Sequence, residues 1–315
     1  MKNKNLLTGY IFVIVSGALF GLMPLMTKYI YTEGVNSLSV VFLRNALSLP
    51  VLGLLALIQC KSLKVTPKAI PSITAVAMTG CCLTPFLLFS SYNYMASSAA
   101  TIFHFVYPAL VVVGGLLFFK QKVSVGTIIS VIICFTGICM FYDPKATLNL
   151  TGSAIALLSG VAYAAYVLLL SVFKYKEISG FLFSFYISLT SSLVLLVVCL
   201  VSGALNISDF ALTLPKSVSG WGMCLLLAIV VNVGAVVLFQ RGTFYIGGQR
   251  ATILSTIEPI TSVFVGVLFL NETITPLGWV GSFLVILASV LIAIFDATKA
   301  KNEKEEEKET STIAQ

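Results

Sequence analysis

The sequence predicts an all-α integral membrane protein with ten transmembrane helices, arranged as two five-helix repeats of inverted topology. Three observations predict this class. The chain is 58% hydrophobic and only 10% charged, whereas a soluble domain has about 25% charged residues. Apolar windows of about 20 residues, long enough to cross ~30 Å of hydrocarbon, recur along nearly the whole chain. A stretch of the second half also repeats one of the first half.

The ten predicted spans follow one another with short connections. The first has no signal-type cleavage site and leads directly into further spans, so we interpret it as a helix rather than a cleaved signal. The spans cover residues 7–27, 38–58, 70–92, 99–119, 124–142, 152–172, 180–201, 221–240, 250–270 and 277–295.

The distribution of Lys and Arg predicts the orientation, because cytoplasmic loops carry an excess of these residues. With both termini in the cytoplasm, 15 of the 19 basic residues lie inside and three outside, and Arg44 lies within a span. The net charge of +7 therefore needs no nucleic-acid partner. The charged tail, residues 298–315, lacks apolar periodicity and is predicted to be disordered in the cytoplasm.

An internal repeat divides the chain into two predicted domains, residues 1–147 and 148–297. Residues 94–119 and 245–270 align without a gap at an offset of 151, with nine of 26 positions identical. Because each domain has five spans, the second enters the membrane upside down, and inverted repeats with matched interruptions predict a binding site at the midplane. The matched interruptions are Pro108 and Pro259, which we expect to bend their helices as hinges.

Small residues also recur in both halves and predict close helix packing. The segment SGALFG at 16–21 recurs as SGVAYA at 159–164, and the pair Gly126 and Ser130 recurs as Gly278 and Ser282. Each pair alone is typical of ordinary helix packing. Their recurrence supports the repeat.

These residues resemble a known family over about residues 6–296. The SG…FG opening helix, Arg44 in the second span and the block YIGGQRATILSTIEPITSVFVGVLFLNE at 245–272 are similar to the EamA-type transporters of the drug/metabolite transporter superfamily. The resemblance implies a secondary transporter that moves small metabolites, amino acids or amphipathic drugs across the cytoplasmic membrane, often outward. The family pattern has Glu-Pro and a helix-end Glu in both halves, whereas the first half here has Tyr107-Pro108 and Gln121.

The ninth predicted span carries a polar stripe at helical spacing, formed by Thr252, Ser255, Glu258 and Ser262. An ionisable group inside a membrane is costly and usually functional. Glu258 could contact a substrate or a coupling proton, and equally could hold helices together by accepting hydrogen bonds. A cavity with one carboxylate, hydroxyls and aromatic groups would suit a zwitterion or an amphipathic cation.

Further candidate residues lie in other spans. Thr101, His104 and Tyr107 form the matching stripe of the fourth span, and a lone intramembrane histidine is more often a helix contact than a proton relay. Arg44 could meet an anionic group, although snorkelling toward the outer surface is slightly favoured. Asn232, Phe20 and Tyr163 could line the cavity or serve packing alone.

Two other classes of function remain as alternatives to transport. A membrane-embedded enzyme should show clustered acid, base or metal groups, and the chain has one histidine and a single mid-membrane glutamate. A channel or scaffold would repeat its pore-lining charges around one axis. The seven cysteines show no CxxC pairing, so neither a metal site nor a cofactor is predicted. The expected partners are a small-molecule substrate, lipid and a coupling proton, and the sequence leaves homodimer formation open.

Overall fold

The computed structural model is helical throughout the part of the chain that it describes, residues 2–120, 123–140, 149–172, 178–246, 251 and 254–313. Eight helices within these ranges are long and apolar enough to cross a membrane: Leu6–Thr32, Ser37–Cys60, Pro67–Ser91, Ser97–Phe119, Leu150–Leu170, Gly180–Ala204, Val218–Thr243 and Pro276–Phe295. Two shorter apolar helices, Val125–Cys139 and Ile257–Phe269, lie where the fifth and ninth spans are predicted. The chain is therefore a multi-pass membrane protein.

Several spans consist of more than one helical element. In chain order the α-helices are α1 Lys2–Gly21, α2 Met23–Thr32, α3 Ser37–Cys60, α4 Ile70–Val76, α5 Thr84–Ser91, α6 Ser97–His104, α7 Tyr107–Phe119, α8 Val125–Cys139, α9 Leu150–Val172, α10 Gly180–Ala204, α11 Val218–Leu226, α12 Val236–Ile246, α13 Ile257–Phe269 and α14 Pro276–Ile313. A short 3₁₀ turn, Pro67–Ala69, precedes α4.

Two spans contain a wide helical turn near their middle. The π-helical segment Ala77–Leu83 joins α4 to α5, and a second one, Leu227–Ala235, joins α11 to α12. Just after the first segment, the Thr84 hydroxyl donates a hydrogen bond to Thr79 O at 2.7 Å. The next residue, Pro85, has no N–H to donate. Such bulges are frequent at functional sites.

The fourth and ninth spans are interrupted immediately before their prolines. Turn residues 105 and 106 separate α6 from α7, and turn residues 255 and 256 precede α13. Pro108 is the second residue of α7 and Pro259 the third residue of α13. Because the first N–H groups of a helix have no intrahelical acceptor, proline is well tolerated there. Each proline therefore begins a new helix rather than kinking a continuous one.

The main contacts between helices join the first half of the chain to the second. Helix α3 packs on α10, and α8 packs on α14. Helix α1 packs on α12 and α13, while α9 packs on α5, α6 and α7. Each of these contacts has a counterpart in which both spans are replaced by the spans five positions away in the chain. The contact of α1 with α12, for example, corresponds to the contact of α9 with α5. Each of the buried apolar clusters contains residues of both halves.

The C-terminal tail follows directly on the last apolar span. Helix α14 continues beyond its apolar part to Ile313, so the charged residues 299–313 are helical. Lys, Glu and Ala have high helix propensity, and an existing helix extends without a new nucleation step. The absence of apolar periodicity does not exclude a helix, and disorder of the tail in the cytoplasm stays a prediction.

Candidate functional site

A central cavity lies where the interrupted fourth and ninth spans meet. Its volume is about 130 Å³, which is below the ~300–1,000 Å³ that is usual for small-molecule sites. Both halves of the chain contribute to its wall, which consists of Phe20, Met23, Arg44, Gly80, Thr84, Pro85, Leu88, Phe89, His104, Phe105, Tyr107, Tyr163 and Glu258. Six of these are candidates predicted from the sequence.

The helix break positions Glu258 in this wall. Thr256 is the residue before α13, and Glu258 is the second residue of that helix. Its N–H donates a hydrogen bond to Ser255 O at 3.0 Å. A carboxylate in the first turn of a helix is stabilised by the positive end of the helix dipole. The break therefore provides a favourable position for a negative charge in the cavity wall.

Arg44 brings a positive charge to the same cavity. Its Nη1 donates a hydrogen bond to Met23 Sδ at 3.7 Å, and its Cζ lies 5.9 Å from the centre of the Phe89 ring. The Nε atom is buried and has no hydrogen-bond partner among the residues that the structure describes. The side chain thus extends along the cavity wall, contrary to the snorkelling interpretation.

Aromatic rings form one side of the cavity. The Tyr107 and Tyr163 rings meet edge to face with centroids 4.5 Å apart, and the His104 ring lies 5.4 Å from Tyr163 and 5.6 Å from Tyr107. Edge-to-face pairs at these distances are favourable and keep the rings in fixed orientations. The three side chains act as one wall built from α6, α7 and α9.

The hydrogen bonds of His104 identify its tautomer. Ser159 Oγ donates to Ala156 O at 2.6 Å and lies 2.9 Å from His104 Nδ1. Because the serine hydroxyl has a single proton, Nδ1 must carry the hydrogen of the imidazole and Nε2 is left as an acceptor. His104 therefore has the helix-contact role that is more usual for an intramembrane histidine.

A second cavity, with a volume of about 150 Å³, lies on the other side of the α6–α7 break. Phe105 and Tyr107 border both cavities. The second wall is mainly apolar and consists of Phe105, Tyr107, Pro108, Val111, Val167, Ser255, Thr256, Ser289, Ile292 and Ala293. Ser255 thus faces a different cavity from Glu258.

Two predicted site residues form helix contacts instead of lining either cavity. Ser262 Oγ donates to Thr101 Oγ1 at 3.0 Å and joins α13 to α6. Asn232 Nδ2 donates to Ser48 Oγ at 3.0 Å and joins the second π-helical segment to α3. Thr252 of the predicted polar stripe lies outside the described residues.

Glu272 forms a polar contact that was not predicted from the residues. Its Oε1 accepts from Ser97 N and Oγ, both at 2.6 Å, and its Oε2 accepts from Ser98 N at 2.9 Å and Oγ at 2.6 Å. The carboxylate thus ties the loop after α13 to the N-terminus of α6. Burial raises the pKa of Glu272, but the hydrogen bonds from the two serines outweigh it and leave the pKa below its ordinary value.

The sequence contained part of the information that identifies the contact of Glu272 with Ser97 and Ser98. The family resemblance includes a glutamate at the end of this helix, and paired serines are typical of a helix start. Nothing in the local sequence shows that residues 175 positions apart meet. Gly266 permits the approach, because a Cβ there would lie 2.4 Å from Glu272 Oε2.

Glycines of the two opening helices allow close packing at the helix breaks. A Cβ at Gly21 of α1 would lie 2.8 Å from Glu258 O, and one at Gly160 of α9 would lie 2.8 Å from His104 O. His104 O is the carbonyl that the missing N–H of Pro108 would have bonded in a continuous helix. The recurrent small residues thus hold each broken helix against an opening helix of the other half.

Comparisons with known proteins agree with this architecture. A family model described as the EamA-like transporter family matches residues 7–142 and 150–294. The uncharacterized transporter YcbK of Bacillus subtilis strain 168 is 26% identical over 294 residues, which cover 90% of this chain and 93% of that protein. An uncharacterized transporter of Archaeoglobus fulgidus is 31% identical over 189 residues, or 60% of this chain and 62% of that protein.

A solved crystal structure shares the fold. It has a TM-score of 0.59 and 12% sequence identity, and the match covers 93% of this chain and 98% of the solved one. At that identity the likeness concerns the fold alone.

Proposed function

Because this chain belongs to the EamA-like transporter family, we propose that it is a secondary transporter that exports a small organic molecule across the cytoplasmic membrane by alternating access. Its ten spans form two five-helix domains, residues 1–147 and 148–297, of inverted topology. Both termini lie in the cytoplasm. Neither chemical change of the substrate nor a bound cofactor is part of this function.

One observation supports the proposal above all others. The central cavity lies between two helices that are interrupted at matched positions, and its wall carries one acidic and one basic side chain among aromatic groups. Inverted-repeat transporters bind substrate near the midplane, at helices interrupted in this way. The unchanged helix pairing on exchange of the halves also supports the inverted arrangement.

The two cavities suggest the route. With both termini inside, the second cavity lies toward the cytoplasm, because α7 runs inward from Tyr107 through Val111. Substrate enters this apolar cavity and passes Phe105 and Tyr107, which border both spaces. These two aromatic side chains form the inner gate of the transporter.

The outer gate lies at the other end of α6. Glu272 holds the N-terminus of α6 to the loop after α13 through Ser97 and Ser98. This contact closes the central cavity on the outer side. Opening requires α6 to move away from α13 while the inner gate closes, and the breaks before Pro108 and Pro259 permit each half-helix to move separately.

Glu258 is the coupling group in this mechanism. It is the acidic side chain of the central wall and can exchange a proton for the cationic group of a substrate. His104, Tyr107 and Tyr163 provide the fixed surface against which the substrate lies. Pro108 and Pro259 are the hinges.

The decisive experiment compares metabolites inside and outside cells that lack the protein, contain it or overproduce it. A transporter shifts the ratio of external to internal concentration for an unchanged compound, and the flux saturates with substrate. An enzyme would instead generate a new product, and a channel would give flux that does not saturate. The control is the double variant Glu258→Ala, Tyr107→Ala, overproduced to the same level so that membrane crowding is equal.

A further inference from the structure

Lys28 is a cation on the face of α2 that meets the end of α5. Its ammonium group donates a hydrogen bond to Tyr92 O, and Tyr92 caps the C-terminus of α5. The carbonyl end of a helix is the negative end of its dipole, so a cation is stabilised there. Tyr31, on the same face of α2, donates from its hydroxyl to Phe89 O at 2.7 Å. Helix α2 is therefore bound twice to the end of α5.

An anion holds the other end of the same connection. Residues 92–96 join α5 to α6. Glu272 accepts hydrogen bonds from N and Oγ of both Ser97 and Ser98 at the start of α6. A positive charge thus lies at the carbonyl end of α5, and a negative charge lies at the amide end of α6. Each charge has the sign that the adjoining helix end favours.

Lys28 and Glu272 attract each other without forming an ion pair. Their charges interact electrostatically, but no ion pair between them is found among the side chains that the structure describes. The carboxylate instead receives its four hydrogen bonds from the two serines, and the ammonium group bonds Tyr92 O. Both charges therefore have other partners while the outer gate is closed.

Opening of the outer gate removes these partners from Glu272. When α6 moves away from α13, the carboxylate loses its hydrogen bonds from Ser97 and Ser98. Glu272 is partly buried, and a buried charge without a partner is costly. Lysine has a flexible four-carbon stem and three rotatable donors, so Lys28 can turn from Tyr92 O to the released carboxylate.

We propose that Lys28 is a positioning residue of the outer gate, which holds the end of α5 while the gate is closed and pairs with Glu272 when the gate opens. This inference rests on the proposed function, because the gate belongs to the transport cycle. The exchange of partners lowers the free energy of the open gate relative to the closed one. Lys28 therefore favours opening, whereas a residue that only tied α2 to α5 would favour closure.

A zero-length cross-link tests the pairing in the wild-type protein. The full chain in lipid nanodiscs is treated with a carbodiimide, which joins an amine to a carboxylate only where the two are in contact. Peptide mass spectrometry should find an amide bond between Lys28 and Glu272, and Glu272→Gln should abolish it. No such bond, or coupling of Glu272 only to an added amine such as glycine ethyl ester, would overturn the inference.

Hydrogen exchange measures whether Lys28 favours opening or closure. The N–H groups of Ser97 and Ser98 are bonded to Glu272 in the closed gate, so their exchange rate reports gate opening. Lys28→Gln keeps a donor for Tyr92 O but removes the charge. It should slow this exchange about 10-fold, as expected for the loss of one charge-assisted hydrogen bond. Lys28→Arg should restore the wild-type rate.

Three comparisons separate this role from a structural one. Tyr31→Phe removes the other bond between α2 and α5 without a change of charge, and should speed the exchange or leave it unchanged. When Glu272 is already replaced by Gln, Lys28→Gln should have no further effect, because no carboxylate remains to be paired. Lys216→Gln removes a positive charge from the loop before α11. It is the matched control and should exchange as wild type does.

Faster or unchanged exchange in Lys28→Gln would overturn the inference, as would equal slowing with and without the Glu272 substitution. The cross-link in the wild-type protein remains decisive if the Lys28 variants do not fold. Neither measurement needs a substrate. Transport without the cross-link would therefore leave the proposed function standing and remove the role of Lys28, whereas a cross-linked protein that transports nothing would contradict the proposed function.

Discussion

At the residue scale, the position of Glu258 explains how a membrane helix accommodates a carboxylate beside a proline. The helix does not continue through the pair. It begins there, so Pro259 has no intrahelical hydrogen bond to lose and Glu258 meets the positive end of the helix dipole. The cost of burial is further reduced because the side chain faces a cavity rather than lipid.

Replacing Glu258 by Gln tests its role in coupling. Glutamine keeps the shape and hydrogen-bonding capacity but carries no proton, so transport should lose its dependence on the pH gradient while substrate still binds. If Glu258 also recognises a cation, binding weakens by roughly 1.5–3 kcal/mol. Flux in proteoliposomes with imposed pH gradients measures this, with Asp209→Asn as a control. Unchanged affinity together with an unchanged pH response would leave Glu258 a structural role only.

Replacing Glu272 by Gln tests the contact with α6. The pKa of Glu272 is below its ordinary value of 4.5 in the folded state, so its contribution to stability is present above that value and is lost as the pH falls through the folded pKa. The variant should lose roughly 1–2 kcal/mol of unfolding free energy at pH 7. Thermal unfolding in detergent measures the difference, which should shrink in acid. A difference that grows in acid would contradict this assignment.

At the element scale, the two interrupted spans and the first of the two π-helical segments border the cavities. The breaks at 105–106 and 255–256 border the cavity walls, and the π-helical segment that contains Gly80 lines the central one. Irregular backbone within a membrane protein is tolerated where it is buried or lines a cavity, because its polar groups can then be satisfied.

Replacing either proline by alanine tests the hinges. Because Pro108 and Pro259 lie in the first turn of their helices, folding stability should change little. Alanine allows the break to close into a continuous helix, so transport should slow more than stability falls. Rates per folded molecule and unfolding midpoints measure the two effects. Wild-type rates in both variants would leave the prolines without a hinge role.

Adding one methyl group at Gly160 tests the packing at the fourth-span break. A Cβ there would lie 2.8 Å from both His104 O and Val106 Cγ1, so α9 must shift and Gly160→Ala should cost about 1–3 kcal/mol. Gly222→Ala is the matched control, since a Cβ at Gly222 meets nothing within 4 Å. Equal unfolding temperatures for the two variants would contradict this packing role.

At the scale of the whole molecule, each half of the chain is completed by the other. The opening helix of one half packs on the broken helix of the other, as Gly21 does on Glu258 and Gly160 on His104. A movement of either broken helix therefore changes the contacts of both halves. These shared contacts support the alternating-access mechanism proposed above.

The proposed inverted arrangement makes a direct prediction about topology. A reporter fused after residue 146 should lie outside the cytoplasm, because five predicted spans separate that residue from the cytoplasmic N-terminus. A reporter fused after residue 298 should lie inside, because five more predicted spans separate it from residue 146. Two reporters, each active on only one side of the membrane, measure the location of each fusion site. The same location for both fusions would exclude inverted halves.

The sequence by itself determined the membrane class, the approximate spans and the matched prolines, because long apolar runs and repeated residues are local properties. It also indicated six of the residues in the central wall. For the tail, the lack of apolar periodicity does not exclude a helix, since charged residues can extend an existing one.

The tertiary structure decided which polar side chains share a space. Ser255, Glu258 and Ser262 lie at helical spacing in the sequence, yet they contact a second cavity, the central cavity and α6 respectively. The break before α13 causes this, because a turn changes the direction in which successive side chains point. The partners of Glu272 and the unpaired state of Arg44 depend on contacts between distant segments, which no local pattern encodes.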